Sequence, residues 1–143
     1  MAGRARTDLG DLAGTGAGAS AADINDAGQI VGSAWGGTYG TFGLPVSHAF
    51  VWQDGVMTDL GTPGFTDGSY AGAVNGSGQF VGTTTVFLNT GYGAAFVSRS
   101  SFYDGHNITL LPVPYIMSVA TDLNDAGQVV GTYGGRTCTR TAW

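Results

Sequence analysis

The amino-acid sequence predicts an all-β chain made of three four-stranded antiparallel units of the β-propeller blade type. Three observations predict it. A ten-residue phrase occurs three times, the composition favours turns and strands over helices, and the two ends of the chain read as parts of one unit.

The phrase "DINDAGQIVG" (residues 23–32) returns as "DLNDAGQVVG" (122–131), with a worn copy, "AVNGSGQFVG" (73–82), between them. Aligned on Asn25, Asn75 and Asn124, each copy has Ala four residues earlier, at Ala21, Ala71 and Ala120. Each then continues with Gly, Gln, Val and Gly: Gly28, Gly78 and Gly127; Gln29, Gln79 and Gln128; Val31, Val81 and Val130; Gly32, Gly82 and Gly131. A period near 50 is that of propeller blades or solenoid units.

The composition agrees. Glycine supplies 26 of 143 residues and charged residues only 10%. The basic residues are all Arg and the acidic ones all Asp, so the Lys and Glu that decorate exposed helices are missing. Gly, Ser, Thr, Asn and Asp suit tight turns, and Val, Ile, Phe, Tyr and Trp suit strands.

Each unit opens with an alternating stretch, "AADIN" in the first, which predicts a strand. "DAG" then turns the chain, with Gly where a positive φ is needed, and "QIVGSAW" alternates again as a second strand. The expected structural turn residues are Asn25, Asp26, Gly28, Asn75, Gly78, Asn124, Asp125 and Gly127. After a variable Gly-rich segment comes "SHAFVWQDGVMTDLG", two strands around an Asp54-Gly55 hairpin. The second unit echoes it as "GAAFVSRSSFYDGHNITLLP", where Ala94 or Ala95 falls near the His position. The third unit stops at "RTAW", so that Ala142 and Trp143 match Ala49 and Phe50. Its missing fourth strand is expected at the front, where "GRARTDLG" matches "GVMTDLG". The single repeat domain therefore divides into units at about 19–61, 69–112 and 118–143 plus 3–10.

Three blades fall below the usual range of four to eight and would leave strand edges and an apolar face exposed. The expected partner is therefore a second copy. Two chains make a six-bladed propeller, each N-terminal strand completing the partner's last blade. A β-solenoid, a three-sheet prism and a piece of a longer repeat protein remain the alternatives.

A net charge of −5 and five scattered Arg residues argue against a nucleic-acid surface. No apolar run approaches the roughly 20 residues of a membrane-spanning helix, and "MAGRARTDLG" lacks the apolar core of a signal peptide. The one cysteine, Cys138, allows no internal disulfide. It reads as a buried or bystander thiol, with an intermolecular disulfide as the other possibility.

The phrases "SHAFVWQDGVMTDLG", "TPG" and "INDAGQIVG" resemble the HAF family of probable extracellular bacterial repeats, named for the run present here as His48, Ala49 and Phe50. The resemblance is specific in the first unit, weaker in the second, and departs from the pattern at "RTAW". It implies secretion and a repeat β fold, most plausibly a propeller, and no established reaction.

Chemistry-bearing patterns are sparse. "DINDAG" places oxygen ligands at alternate positions, but Ala27 and Ala34 stand where an EF-type calcium loop needs ligands, so turn stabilisation explains it better. The "NDAGQ" turn is similar to the Asp-box hairpins of sialidases, but Arg99, Arg136 and Arg140 occupy no repeated position in this alignment and Glu is absent. A glycoside hydrolase is thus a minor alternative. His48 and His106 lack paired-ligand spacing for zinc. His48 reads as a hydrogen-bonded strand residue. "AGTGAGAS" has no Lys and reads as a loop between blades. No catalytic, cofactor or metal residue is expected, and the chain reads as a non-enzymatic binding or scaffold module.

The variable loops carry aromatic residues among Gly, Thr and Asn: Trp35, Tyr39, Phe42, Phe87, Tyr92 and Tyr133. They either pack between neighbouring blades or stack on sugar rings, with amides and hydroxyls nearby. The expected ligand class is glycan. Its candidate contacts are Trp35, Tyr39, Tyr92, Tyr133 and Arg136.

Overall fold

The computed structural model describes residues 5–64, 67–89, 91, 93–113, 117–134 and 136–140. Among these the regular structure is entirely β, in three antiparallel sheets, none closed on itself. Strands β1 (Ala19–Ile24), β2 (Ile30–Tyr39), β3 (Pro45–Gln53) and β4 (Val56–Asp59) form the first sheet in chain order. Strands β5 (Gly68–Val74), β6 (Phe80–Asn89), β7 (Ala94–Tyr103) and β8 (Ile108–Leu110) repeat that order in the second. The third holds β9 (Ser118–Leu123), β10 (Val129–Tyr133) and β11 (Arg136–Arg140), with β10 central.

The repeated phrase is the β1–β2 hairpin and its counterparts. In the first, Asn25 Oδ1 accepts the N–H groups of Ala27 (3.1 Å) and Gln29 (3.0 Å), and Gly28 takes φ +78°. Asn75 and Asn124 do the same in the second and third sheets. The other hairpin, at Asp54 and Gly55, has both central residues at positive φ, which matches the right-handed twist of the flanking strands.

The sheets stack face to face in chain order, β5 lying across β1, β2 and β3, and β9 across β5, β6 and β7. Between the first two, Val31 and Ala49 meet Ala71, Val74 and Phe80, with Leu60 at the margin. Between the last two, Ala73, Val81 and Leu111 meet Ala120, Leu123 and Val129. Each sheet thus has a leading face toward its predecessor and a trailing face toward its successor. Alternation of side chains along a strand makes this possible.

Pairing register corrects the alignment of the third strands. Gly32, Gly82 and Gly131 are equivalent, and their partners across the hairpin are Phe50, Ser101 and Cys138. Thr137 and Cys138 therefore hold the positions expected for Ala142 and Trp143, which lie outside the described residues. Likewise Arg99, not Ala94 or Ala95, stands where His48 stands. Arg99 and Arg136 prove to share that position, opposite Thr84 and Tyr133 as His48 is opposite Ala34. The cause is hairpin length. The second hairpin pairs continuously from Phe80–Tyr103 out to Asn89–Ala94, so most of what reads as a variable loop is strand.

Residues 5–10 form no strand and pair with none of the three sheets. Thr7, Asp8, Leu9 and Gly10 run beside Ala19, Ala21 and Phe50, on the leading face of the first sheet. Phe50 is fully buried. Leu60 and Leu111 occupy the matching places at the two internal seams.

Candidate binding cleft

A cleft of about 640 Å³ opens at the outer end of the first sheet. Ala17, Gly18, Ala19 and Ser20 form one wall; Ser33, Trp35, Tyr39, Pro45 and Ser47 from the β2–β3 hairpin form the other. Trp35 and Tyr39 meet edge to face, with ring centroids 6.2 Å apart and planes at 72°. The Trp35 indole N–H reaches the Thr38 carbonyl at 3.4 Å, and Tyr39 is largely exposed. Three serines and two amphipathic rings thus line one open space.

The wall at Ala17 and Gly18 is shaped by an aspartate. The Asp11 carboxylate accepts N–H bonds from Gly16 (2.7 Å) and Thr15 (3.2 Å), closing the Gly-rich segment into a compact loop. The Gly16 N–H, foremost, holds the Asp11 pKa below the ordinary aspartate value.

Other loop aromatics do different work. Phe42 from the first sheet's hairpin meets Phe87 of the second sheet edge to face at 4.5 Å, and Phe96 closes the cluster. Asp67 pins the same junction, accepting the Thr41 hydroxyl, the Thr41 N–H (2.9 Å) and the Phe87 N–H (3.1 Å). Burial opposes ionisation of that carboxyl, but the three donors outweigh it and hold its pKa below the ordinary value. Packing between sheets therefore accounts for Phe42 and Phe87, whereas Trp35 and Tyr39 line open space. Tyr133, half-buried in β10 of the third sheet, does not line this cleft, and Arg136 pairs with it in β11. Tyr92 lies outside the described residues.

One constellation that sequence reasoning missed joins Thr38, His48 and Asp59. The Asp59 carboxylate lies 2.9 and 3.0 Å from His48 Nδ1, which must donate, leaving Nε2 facing the Thr38 hydroxyl at 3.0 Å. Hydroxyl, imidazole and carboxylate stand in the order of a nucleophilic relay. None of the three lines the cleft, however, and the ring lies so close to Gly36 that a β-carbon there would meet it. We read the trio as the lock that holds β2, β3 and β4 together beyond the bulge between Trp35 and Tyr39. Among the described residues no group of three or more His, Cys, Asp or Glu side chains is placed to hold a metal ion.

Comparison of the chain with family models, with curated proteins and with solved structures gave no match in any of the three.

Proposed function

We propose that this chain is a non-enzymatic scaffold module of the β-propeller type, closed into a six-sheet ring by a second copy, and that it binds saccharide in the Trp35–Tyr39 cleft. The observation that carries the scaffold reading is a contrast between equivalent positions. Val74 and Leu123, on leading faces inside the stack, are 9% and 8% exposed, while their equivalent Ile24 on the first sheet is 60% exposed. On the trailing side Val31 and Val81 are fully buried, and Val130 is 38% exposed. Residues that are core in the middle of the chain are surface at its two ends. Apolar surface of this kind favours a partner.

The N-terminal segment supports the same reading. Thr58 and Asp59 pair with Val51 and Phe50 in the first sheet, and Thr7 and Asp8 are their sequence equivalents. Paired with β11 of a partner, they would supply the fourth strand of its third sheet. The measurement is native mass by light scattering: we expect twice the 14.5 kDa of the chain. A folded monomer at every concentration tested would refute it.

The cleft supports the saccharide reading. Rigid aromatic rings stack on the apolar faces of sugars while hydroxyl groups serve their edges. Trp35→Ala and Tyr39→Ala should each weaken binding to an immobilised glycan set about tenfold, the equivalent of about 1.4 kcal/mol. Glycan binding that survives both substitutions would place it elsewhere; a bare glycan set would leave a scaffold without a ligand. The resemblance to HAF repeats supports a location outside the cell.

A further inference from the structure

The internal seams share a hydrogen-bonding pattern that stops abruptly at both ends of the stack. Across the first seam, Asn25 Nδ2 donates to the Asn75 carbonyl at 2.9 Å; across the second, Asn75 Nδ2 donates to the Asn124 carbonyl at 3.1 Å. Asn124 Nδ2 donates to its own Gln128, and among the described residues no further turn lies beyond it. At the other end the Asn25 carbonyl accepts only from Gly28 of its own turn among the described residues. One end therefore offers a spare amide hydrogen, and the other a spare carbonyl lone pair, in the same frame.

A second element crosses the first seam. Asp23 uses Oδ1 for its neighbour Ile24 and Oδ2 for the N–H of Val74 across the first seam, at 2.9 Å each. The second unit has Ala73 at that place, but the third restores the acid as Asp122, whose Oδ1 serves Leu123. Its other oxygen is the equivalent of Asp23 Oδ2, but the Ile24 N–H of a following sheet is already held by Asp23 Oδ1, so the asparagine ladder alone continues unaltered.

We infer that the trailing face of the third sheet docks on the leading face of the first sheet of a second copy, continuing the asparagine ladder from Asn124 to Asn25. This inference rests on the two-chain reading above and adds the seam's residues and direction. The contact is head to tail. Two such seams close a two-fold pair, and Ile24 and Val130 become core in both.

One bridge is missing from that seam, and its absence supplies the test. Ser69 Oγ accepts the Ala49 N–H at 2.8 Å across the first seam, and Ser118 Oγ accepts the Ser100 N–H at 2.9 Å across the second. At the proposed seam the serine position is Ala19, and the donor position is the Thr137 N–H. Ala19→Ser should therefore tighten the dimer, by roughly tenfold in dissociation constant because the new bond forms twice. Ile24→Asp, at an exposed position, should loosen it at least a hundredfold while leaving the far-ultraviolet circular dichroism of the chain unchanged. Both are read by dilution in analytical ultracentrifugation. A dimer that responds to neither substitution associates through another surface, which overturns the seam but leaves the two-chain reading standing. A wild-type chain that stays monomeric overturns both.

Discussion

Gly82→Ala should lower the melting temperature by about 10 °C or more, the largest loss expected from any single methyl added to this chain. The reason lies in the bulge of the first hairpin strand. The β5–β6 register shifts between Ala71 and Ala73, and the displaced β5 backbone drops onto Gly82. A β-carbon on Gly82 would fall on the Tyr70 carbonyl, with the Ala71 Cα 3.0 Å away. These are backbone atoms in a paired strand, so no side-chain rotation relieves the overlap. Overpacking of this kind costs about 3 kcal/mol, and more where the ladder must part. The first and third sheets repeat the contact, Gly32 against Ser20 and Gly131 against Val119. Gly72→Ala is the control: it lies at the same bulge, its nearest neighbour is the Val81 carbonyl at 3.6 Å, and its φ is ordinary. It should stay within about 0.5 kcal/mol of wild type. Thermal unfolding followed by circular dichroism separates the two.

That contact also explains which parts of the fold were legible. The triple match at Gly32, Gly82 and Gly131 stands out in the sequence, and so does the Asn-to-Gln spacing of the turns. Both are local: each is enforced within one hairpin, where a few residues decide the geometry. All-β content followed from them. The third strands were harder, because their register is set by β2, β6 and β10 rather than by their own residues. "GAAF" in the second unit looks like a copy of "SHAF". Yet pairing counted outward from Gly82 carries it five positions beyond, where Phe96 meets Phe87. The shared basic position of His48, Arg99 and Arg136 was hidden for the same reason.

The site divides along the same line. Trp35 and Tyr39 were visible as aromatic residues in a Gly-rich stretch, and they do meet in one cleft. Nothing in the spacing shows that Ala17–Ser20 would form its other wall, since that depends on the Asp11 loop. Nor does spacing bring Asp59, from β4, to the imidazole of His48 in β3, which needs the hairpin register known first.

The turn asparagines look identical in sequence, but their burial grades them, and so should their substitution. Asn75 is buried between turns on both sides. It accepts from Ser77 (3.1 Å) and Gln79 (3.0 Å), and it donates to Gln79 Oε1 (2.9 Å) and the Asn124 carbonyl (3.1 Å). Asn75→Ala removes four bonds and strands their partners where water enters poorly. At about 1 kcal/mol for each bond, with the unpaired groups added, the loss should be about 4 kcal/mol. In the dissociated single chain Asn124 makes three such bonds in an exposed turn, and water can replace them, so there Asn124→Ala should cost about 1 kcal/mol. Asn75→Asp separates the two halves of the role. It keeps the acceptor that closes the turn but sets an oxygen against the Asn124 carbonyl and Gln79 Oε1. If the ladder matters as much as the turn, Asp at position 75 will be no better than Ala in urea unfolding. A substantial rescue by Asp would assign the stability to the turn alone and remove the cross-sheet bond from the account.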